Sequence, residues 1–457
     1  MPKNNDPIAV FWFRRDIRSE DNAGLYRALK SGYRVLPMFI FDTEILDRLE
    51  DRKDRRIEFL AGALGELQKT FTGAGSALTV YHASPLEAFR KLLTEFNVRA
   101  VYANHDYEPY AVIRDTAVGA LLKESSIPFH TFKDQVIFEK KEVRKGDGTP
   151  YTVFTPYANA WKKLFTEEVV SPYPSQDLLS SLLNINPLPV PSESELGFLK
   201  TGYTYSAPVI DADIIKNYHN TRNTPSIAGT SRLGPHLRFG TVSIRKLVRT
   251  AITLNETWLS ELIWREFFMT ILWHFPHVTD SSFKRKYDSI VWLNNEEEFS
   301  RWCNGMTGFP IVDAGMRELN ETGFMHNRVR MITASFLVKD LLIDWRWGEA
   351  YFASKLLDYE LASNNGNWQW AAGCGCDAAP YFRVFSPTEQ TRKFDPDLSY
   401  IKKWVPESDS PSYPNPVVDH SFARVRAVHT YREALQKNLN SEHQGTAWSG
   451  NRTGSTS

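Results

Sequence analysis

Cysteine is nearly missing from this chain of 457 residues, which holds only Cys303, Cys374 and Cys376. Three thiols cannot build a disulfide framework, and Cys374-Gly375-Cys376 lacks the paired Cys/His spacing of a zinc site. A reducing compartment and no structural metal are therefore expected. Long apolar runs are lacking too: no stretch reaches membrane-spanning length without charges, and the start MPKNNDPIAVFWF has no basic region leading into an apolar run and cleavage site. This predicts a soluble, cytoplasmic protein with no membrane association. Nor does one sign of charge dominate, since Lys+Arg and Asp+Glu are both 54. Any polyanionic partner must meet a local basic patch, not a general field.

What is present is length and aromatic mass. The chain is too long for one ordinary core, so two domains are expected. Eleven of its thirteen Trp follow Ser206, more than a core needs and compatible with stacking on flat ligands. Apolar runs at Ile8 to Phe13, Val35 to Phe41, Leu78 to Tyr81, Ala100 to Ala103 and Phe129 to Phe132 alternate with helical patterns such as SPLEAFRKLLTEF. Short buried strands alternating with helices predict a parallel, Rossmann-like α/β domain over 1–135. Periodicity then fades into Pro- and Ser-rich text, YPSQDLLSSLLNINPLPVPSESE, which predicts an interdomain linker over 136–206. From 207 to 440 long amphipathic runs predict an all-helical domain, and the polar, small-residue segment 441–457 reads as a frayed tail.

Several constellations could carry chemistry. In WLSELIWREFF, Trp258, Glu261, Trp264, Arg265 and Phe268 fall within one third of a helix circumference. Two charges share a face with three aromatics, while Leu262 and Ile263 supply a separate apolar side. The loop AGTSRLGPHLRFG sets Thr230, Ser231, Arg232 and Leu233 before a helical run. It offers hydroxyls, N–H groups and a guanidinium suited to a diphosphate, although Thr-Ser before a helix is ordinarily a cap. FRRD at Phe13 to Asp16 follows the first strand, where α/β sheets bind ligands, but there is no GxGxxG. MHNRVRM gathers His326, Asn327, Arg328 and Arg330, and LLDYELASNNGNW supplies Asp358, Glu360 and Asn364. By itself, Asn364-Asn365-Gly366 is an ordinary turn.

In chain order, FWFRRDIRSEDNAGL, GTSRLGPHLRFG, WLSELIWREFF, GFPIVDAGMREL, TGFMHNRVRMITASFLVKDLLIDW and LASNNGNWQWAAG resemble the DNA photolyase and cryptochrome family. Within it, the similarity is closest to the class I enzymes that split cyclobutane pyrimidine dimers. The resemblance spans nearly the whole chain. It implies a lyase acting on UV-damaged DNA by electron transfer from photoexcited reduced FAD, working as a monomer with no obligate protein partner. By similarity, Tyr218, Thr230, Ser231, Arg232, Leu233, Trp258, Arg265 and Asn327 surround FAD, with Arg330, Asp358, Glu360 and Asn364 on its isoalloxazine side. Glu360 stands where related repair enzymes often have Asp, a longer reach for the same carboxylate. Asn364 is implied beside flavin N5, where a neutral amide offers no acidic proton. The paired histidines of enzymes for the (6-4) photoproduct are not matched. Instead, Glu261, Trp264, Met331 and Trp370 match a dimer-shaped slot, with Glu261 hydrogen-bonding the thymines. Trp368, Trp345 and Trp292 match an electron-transfer chain, and Arg222, Trp264, Asn327, Trp370 and Arg383 match DNA contacts. A second, light-harvesting chromophore is left open between methenyltetrahydrofolate, a deazaflavin, another flavin-like pigment and none. Ala111 stands where an acidic pterin partner is expected, with Glu108 as a substitute.

Overall fold

The computed structural model describes residues 4–187 and 189–447. They form two compact units. One comprises the chain up to Asn220 with Gly229–His274 and Leu357–Ala362; the other comprises Thr221–Ala228, Phe275–Leu356 and the chain from Ser363 onward.

In the first unit each of the five apolar runs is a strand: β1 Asn4–Phe13, β2 Arg34–Asp42, β3 Thr79–Ala83, β4 Phe96–Asn104 and β5 Phe129–Phe132. They pair in parallel in the order β3-β2-β1-β4-β5. The runs are almost continuously apolar because both faces are covered. Ala9, Phe11 and Phe13 point into one cluster with Phe59 and Leu64 of the helix Arg55–Gly73. Ile8, Val10 and Trp12 point into the other, with Phe89 and Leu92 of the helix Pro85–Glu95. That helix begins with a capping box, Ser84 and Glu87 binding each other's backbone N–H. Strand order reverses beside β1, so the crevice past the carboxyl ends of β1 and β4 is where such a sheet takes a ligand.

The segment 136–206, expected as a linker, contains a helix, Phe154–Leu164, with Tyr157, Ala158 and Trp161 buried. Tyr157 and Trp161 lie four apart on one face, a pattern too short to register among prolines and serines. Both donate to the buried carboxylate of Glu266, Trp161 Nε1 at 2.7 Å and Tyr157 OH at 3.2 Å, and Ile137 N–H adds a third bond at 2.7 Å. Burial outweighs these donors and pushes the Glu266 carboxyl up to about 7, against an ordinary 4.5. The folded state therefore binds a proton that the unfolded chain has lost, and the stabilisation present below 4.5 disappears as pH rises through 7. Denaturant titrations are expected to show a stability loss on the order of 3 kcal/mol across that window, flattened in Glu266→Gln.

Beyond β5 the described residues contain no further strand of the sheet. In the second unit, helices Glu296–Cys303, Pro310–Thr322, Asn327–Ser335, Trp345–Lys355 and Leu361–Ala372 pack around buried Trp302, Trp345 and Trp368. The last helix, His420–Ala447, runs into the segment 441–457 expected as a frayed tail. Ala423, Ala427, Tyr431 and Ala434 bury one of its faces, and at three- and four-residue spacing they anchor it. Residues 448–457 lie outside the described ones.

Candidate functional site

In the first unit Thr230 to Leu233 precede a short helix, and Trp258 lies in the first turn of a long one. Leu233 is the N-cap of the short helix Gly234–Phe239 and makes no side-chain cap bond, so Thr230 and Ser231 are not its caps. Arg232 takes a left-handed φ of 51°, a conformation uncommon for a residue with a side chain. Gly234 is required: a Cβ there would lie 2.7 Å from Asp358 Oδ2 and 2.9 Å from Asp358 Cβ. Trp258 is buried in the helix Glu256–His274 and its N–H is held by Asn255 Oδ1 at 3.1 Å. Tyr218, on the helix Ala212–Thr221, is half-buried.

Arg265 reaches Glu360 Oε1 at 3.2 Å and the Gln135 carbonyl at 2.7 Å. The same Glu360 oxygen also accepts from Arg15 Nη2. Burial alone would raise the Glu360 carboxyl, but Arg265, Arg15 and Arg238 outweigh it and hold it below the ordinary carboxylate range. Glutamate's added reach thus serves two guanidinium groups at once. Trp264 is half-buried and stacks on Phe154 with ring centroids 3.7 Å apart at 6°. Phe154 begins the helix in the supposed linker, and for that reason sequence reasoning missed it. Glu261, one turn earlier on the same helix, is half-buried.

A separate cavity of about 150 Å³ opens at the carboxyl ends of the strands, lined by Trp12, Arg15, Asp42, Glu108, Tyr110 and Ala111 among others. Arg15 follows β1, where FRRD pointed. Glu108 is already committed to Arg15 at 3.0 Å and Arg238 at 2.9 Å. Asp42 is instead held by Tyr110 OH at 2.6 Å, and burial raises its carboxyl.

In the second unit, Asn364-Asn365-Gly366 is not a turn: it lies inside the helix Leu361–Ala372. Asn364 Nδ2 donates to Glu349 Oε1 at 3.0 Å and to the Glu349 carbonyl at 3.1 Å. Both bonds run through its NH2, so the amide is held to Glu349. Asn365 and Gln369 tie the next turns to the Val278 carbonyl at 2.9 and 3.0 Å. Trp368 is 2% exposed and packs on Phe352 at 5.0 Å and Trp302 at 6.1 Å. Trp345 is 2% exposed, with the Arg346 guanidinium 4.7 Å over its ring, and Trp292 is half-buried. Leu293 N–H bonds the Leu342 carbonyl at 2.9 Å and Asp344 N–H bonds Asn294 Oδ1 at 2.9 Å, joining the segments that carry Trp292 and Trp345. Met331 and Trp370 are half-buried, Asn327 and Arg383 exposed. Arg330 Nε is fixed to the Met325 carbonyl at 2.7 Å. Arg328, missed as a site residue, lies 4.2 Å over Phe394 and donates to Asn223 Oδ1 at 2.7 Å, while its Nε has no partner. Burial and the nearby charge of Arg222 lower its pKa.

Two family models match the chain: DNA photolyase over residues 9–175 and the FAD binding domain of DNA photolyase over residues 258–433. A deoxyribodipyrimidine photo-lyase of Synechococcus is 37% identical, covering 93% of this chain and 96% of that protein. The solved class III photolyase of Agrobacterium tumefaciens superposes with a TM-score of 0.85 at 31% identity, covering 94% of this chain and 98% of that one. An archaeal photolyase from Sulfolobus tokodaii, with two FAD molecules, gives 0.78 at 33% identity over 93% and 99%. The five-stranded parallel sheet, the helical remainder and these matches together place the chain in the DNA photolyase family.

Proposed function

We propose that the protein repairs cyclobutane pyrimidine dimers in UV-damaged DNA under blue light. The observation that carries this is the anchored amide of Asn364, a neutral group whose NH2 is committed to Glu349. An oxygen acceptor suits a flavin N–H, and an amide has no acidic proton to give. In this proposal Arg232, Arg265 and the hydroxyls of Thr230 and Ser231 take the diphosphate, with Tyr218, Leu233, Trp258, Asp358 and Glu360 as further contacts from the first unit; Asn327 and Arg330 are the contacts that the family resemblance implies in the second. When bound, FAD supplies the light-driven electron that splits the cyclobutane ring and then takes it back.

The chain's own side chains bind and orient the lesion. In this proposal the first unit supplies Trp264 as a flat wall and Glu261 as a hydrogen-bonding carboxyl, and the family resemblance implies Trp370 and Met331 as the lesion contacts of the second. Photolyases extrude the target from the stack, at a cost least for damaged bases. In FAD-loaded Glu261→Ala the repair yield is expected to fall while the flavin content stays unchanged; loss of flavin would contradict this role.

Arg222, Arg328 and Arg383 are the phosphate contacts in this proposal. Arg328→Ala is expected to weaken binding of damaged and undamaged duplexes alike and to lower the slope of log affinity against log salt by about 1. An unchanged salt slope would remove Arg328 from the rim. Trp368, Trp345 and Trp292 pass an oxidising hole outward, from two buried indoles to a half-buried one. The cavity at Trp12 and Asp42 takes a second chromophore, with Asp42 as its acidic contact because Glu108 is held by two arginines; the absorption spectrum of gently purified protein identifies it. The three free thiols agree with a reducing, cytoplasmic compartment.

A further inference from the structure

Phe154 and Trp264 both belong to the first unit, and their rings lie face to face, with centroids 3.7 Å apart and planes 6° from parallel. Aromatic pairs left to themselves prefer offset or edge-on contacts with centroids about 4.5–7 Å apart, so the scaffold sets this contact and not the rings. Its source can be traced along two helices. Phe154 opens the helix Phe154–Leu164, and Pro156 fixes a backbone angle in the same first turn. Farther along, Tyr157 and Trp161 donate to the Glu266 carboxyl, which lies two residues beyond Trp264 on the helix Glu256–His274. Phe267, fully buried on that second helix, packs against Phe154 at 5.9 Å and against Tyr157 at 5.2 Å. The group that collects the first helix therefore also sets Phe154 against the indole.

Three phenylalanines touch Trp264. Phe267 meets it at 5.6 Å, tilted by 79°, and Phe268 at 5.4 Å, tilted by 30°. Of the three, Phe154 alone lies parallel to the indole. An aliphatic side chain could fill the same volume, but only a flat ring holds an indole to one plane. Trp264 is half-buried, so part of its surface stays open to a ligand.

We propose that Phe154 is a positioning residue for dimer recognition: lying flat on Trp264, it fixes the plane of the indole and holds the uncovered surface ready for a pyrimidine of the extruded dimer. This rests on Trp264 as the lesion wall of the proposed function. The wall is then ordered before the lesion arrives, and binding does not have to overcome the freedom of a loose side chain. Undamaged DNA is held through its phosphates and gains nothing from an ordered indole.

The test is equilibrium binding of FAD-loaded protein, in the dark, to a thymine-dimer oligonucleotide and to the same sequence undamaged. Phe154→Leu keeps apolar volume without a flat face, and Phe154→Tyr keeps the face. Phe154→Leu is expected to lower the ratio of dimer affinity to undamaged affinity about fivefold, with undamaged binding and flavin content unchanged. Phe154→Tyr should keep the ratio of the unaltered protein. Phe154→Met, a second replacement without a flat face, decides the matter should Phe154→Leu not fold. A ratio unchanged in Phe154→Leu but lost in Trp264→Leu would confine Phe154 to packing and overturn the inference. A ratio that rises in Phe154→Leu overturns it too, because Phe154 would then cover the surface the lesion needs. A ratio that Trp264→Leu leaves unaffected removes the lesion wall, and the inference with it.

Discussion

Glu360→Ala protein is expected to be roughly 3–5 kcal/mol less stable than the unaltered chain and to purify with little flavin. The reason lies in what the carboxylate holds. Arg15 and Arg265 both donate to its Oε1. Arg15 keeps Asp106 and Glu108, but Arg265 loses its acidic partner while burial already lowers its pKa. An uncompensated guanidinium then either draws in water or swings away, and in both cases the proposed flavin surround changes. Glu360→Gln, keeping volume without charge, should also lose flavin, whereas Glu360→Asp should keep much of it. Thermal unfolding with the flavin-to-protein absorbance ratio checks each. A colourful, fully stable Glu360→Ala would remove this carboxylate from the flavin surround.

A second large effect is expected from the smallest substitution, Gly348→Ala. The added Cβ would lie 2.1 Å from Trp368 Cη2, 2.5 Å from its Cζ3 and 2.6 Å from Leu337 Cδ2. Trp368 cannot retreat easily, because Phe352 and Trp302 already pack against it. Overpacking of this kind costs about 1–3 kcal/mol. It also displaces the first indole of the proposed relay, so light-driven reduction of the bound flavin should slow more than repair by chemically pre-reduced protein does. Equal losses in both measurements would mean that Gly348 serves packing alone.

The strands were legible in the sequence because a doubly covered parallel sheet writes itself as unbroken apolar runs, and all five observed strands overlap their runs. The helical character of 207–440 was legible for the same reason of period. The helix Phe154–Leu164 was not, since it depends on a partner far along the chain, the Glu266 carboxylate that collects Tyr157 and Trp161. The Asn364-Asn365-Gly366 stretch gave the wrong local signal: turn-forming residues stay helical because Glu349 and the Val278 carbonyl take their side chains. Arg328 was noted beside Asn327 and Arg330 but given no role, because an arginine in a helix is ordinarily a solvated charge; its placement over Phe394 beside Arg222 is a tertiary fact. The positions of Trp368, Trp345 and Trp292 along the chain say nothing of burial, whereas the structure grades them from 2% exposed to half-buried.

The central claim is dimer repair, and its most direct measurement is blue-light repair of a thymine-dimer oligonucleotide by reduced, FAD-loaded protein. Recovery of thymine absorbance is followed against a dark control and a (6-4) photoproduct substrate. Light-dependent recovery is expected for the cyclobutane dimer alone. No recovery from protein shown to hold reduced flavin would contradict it and leave light sensing as the better description of the same fold.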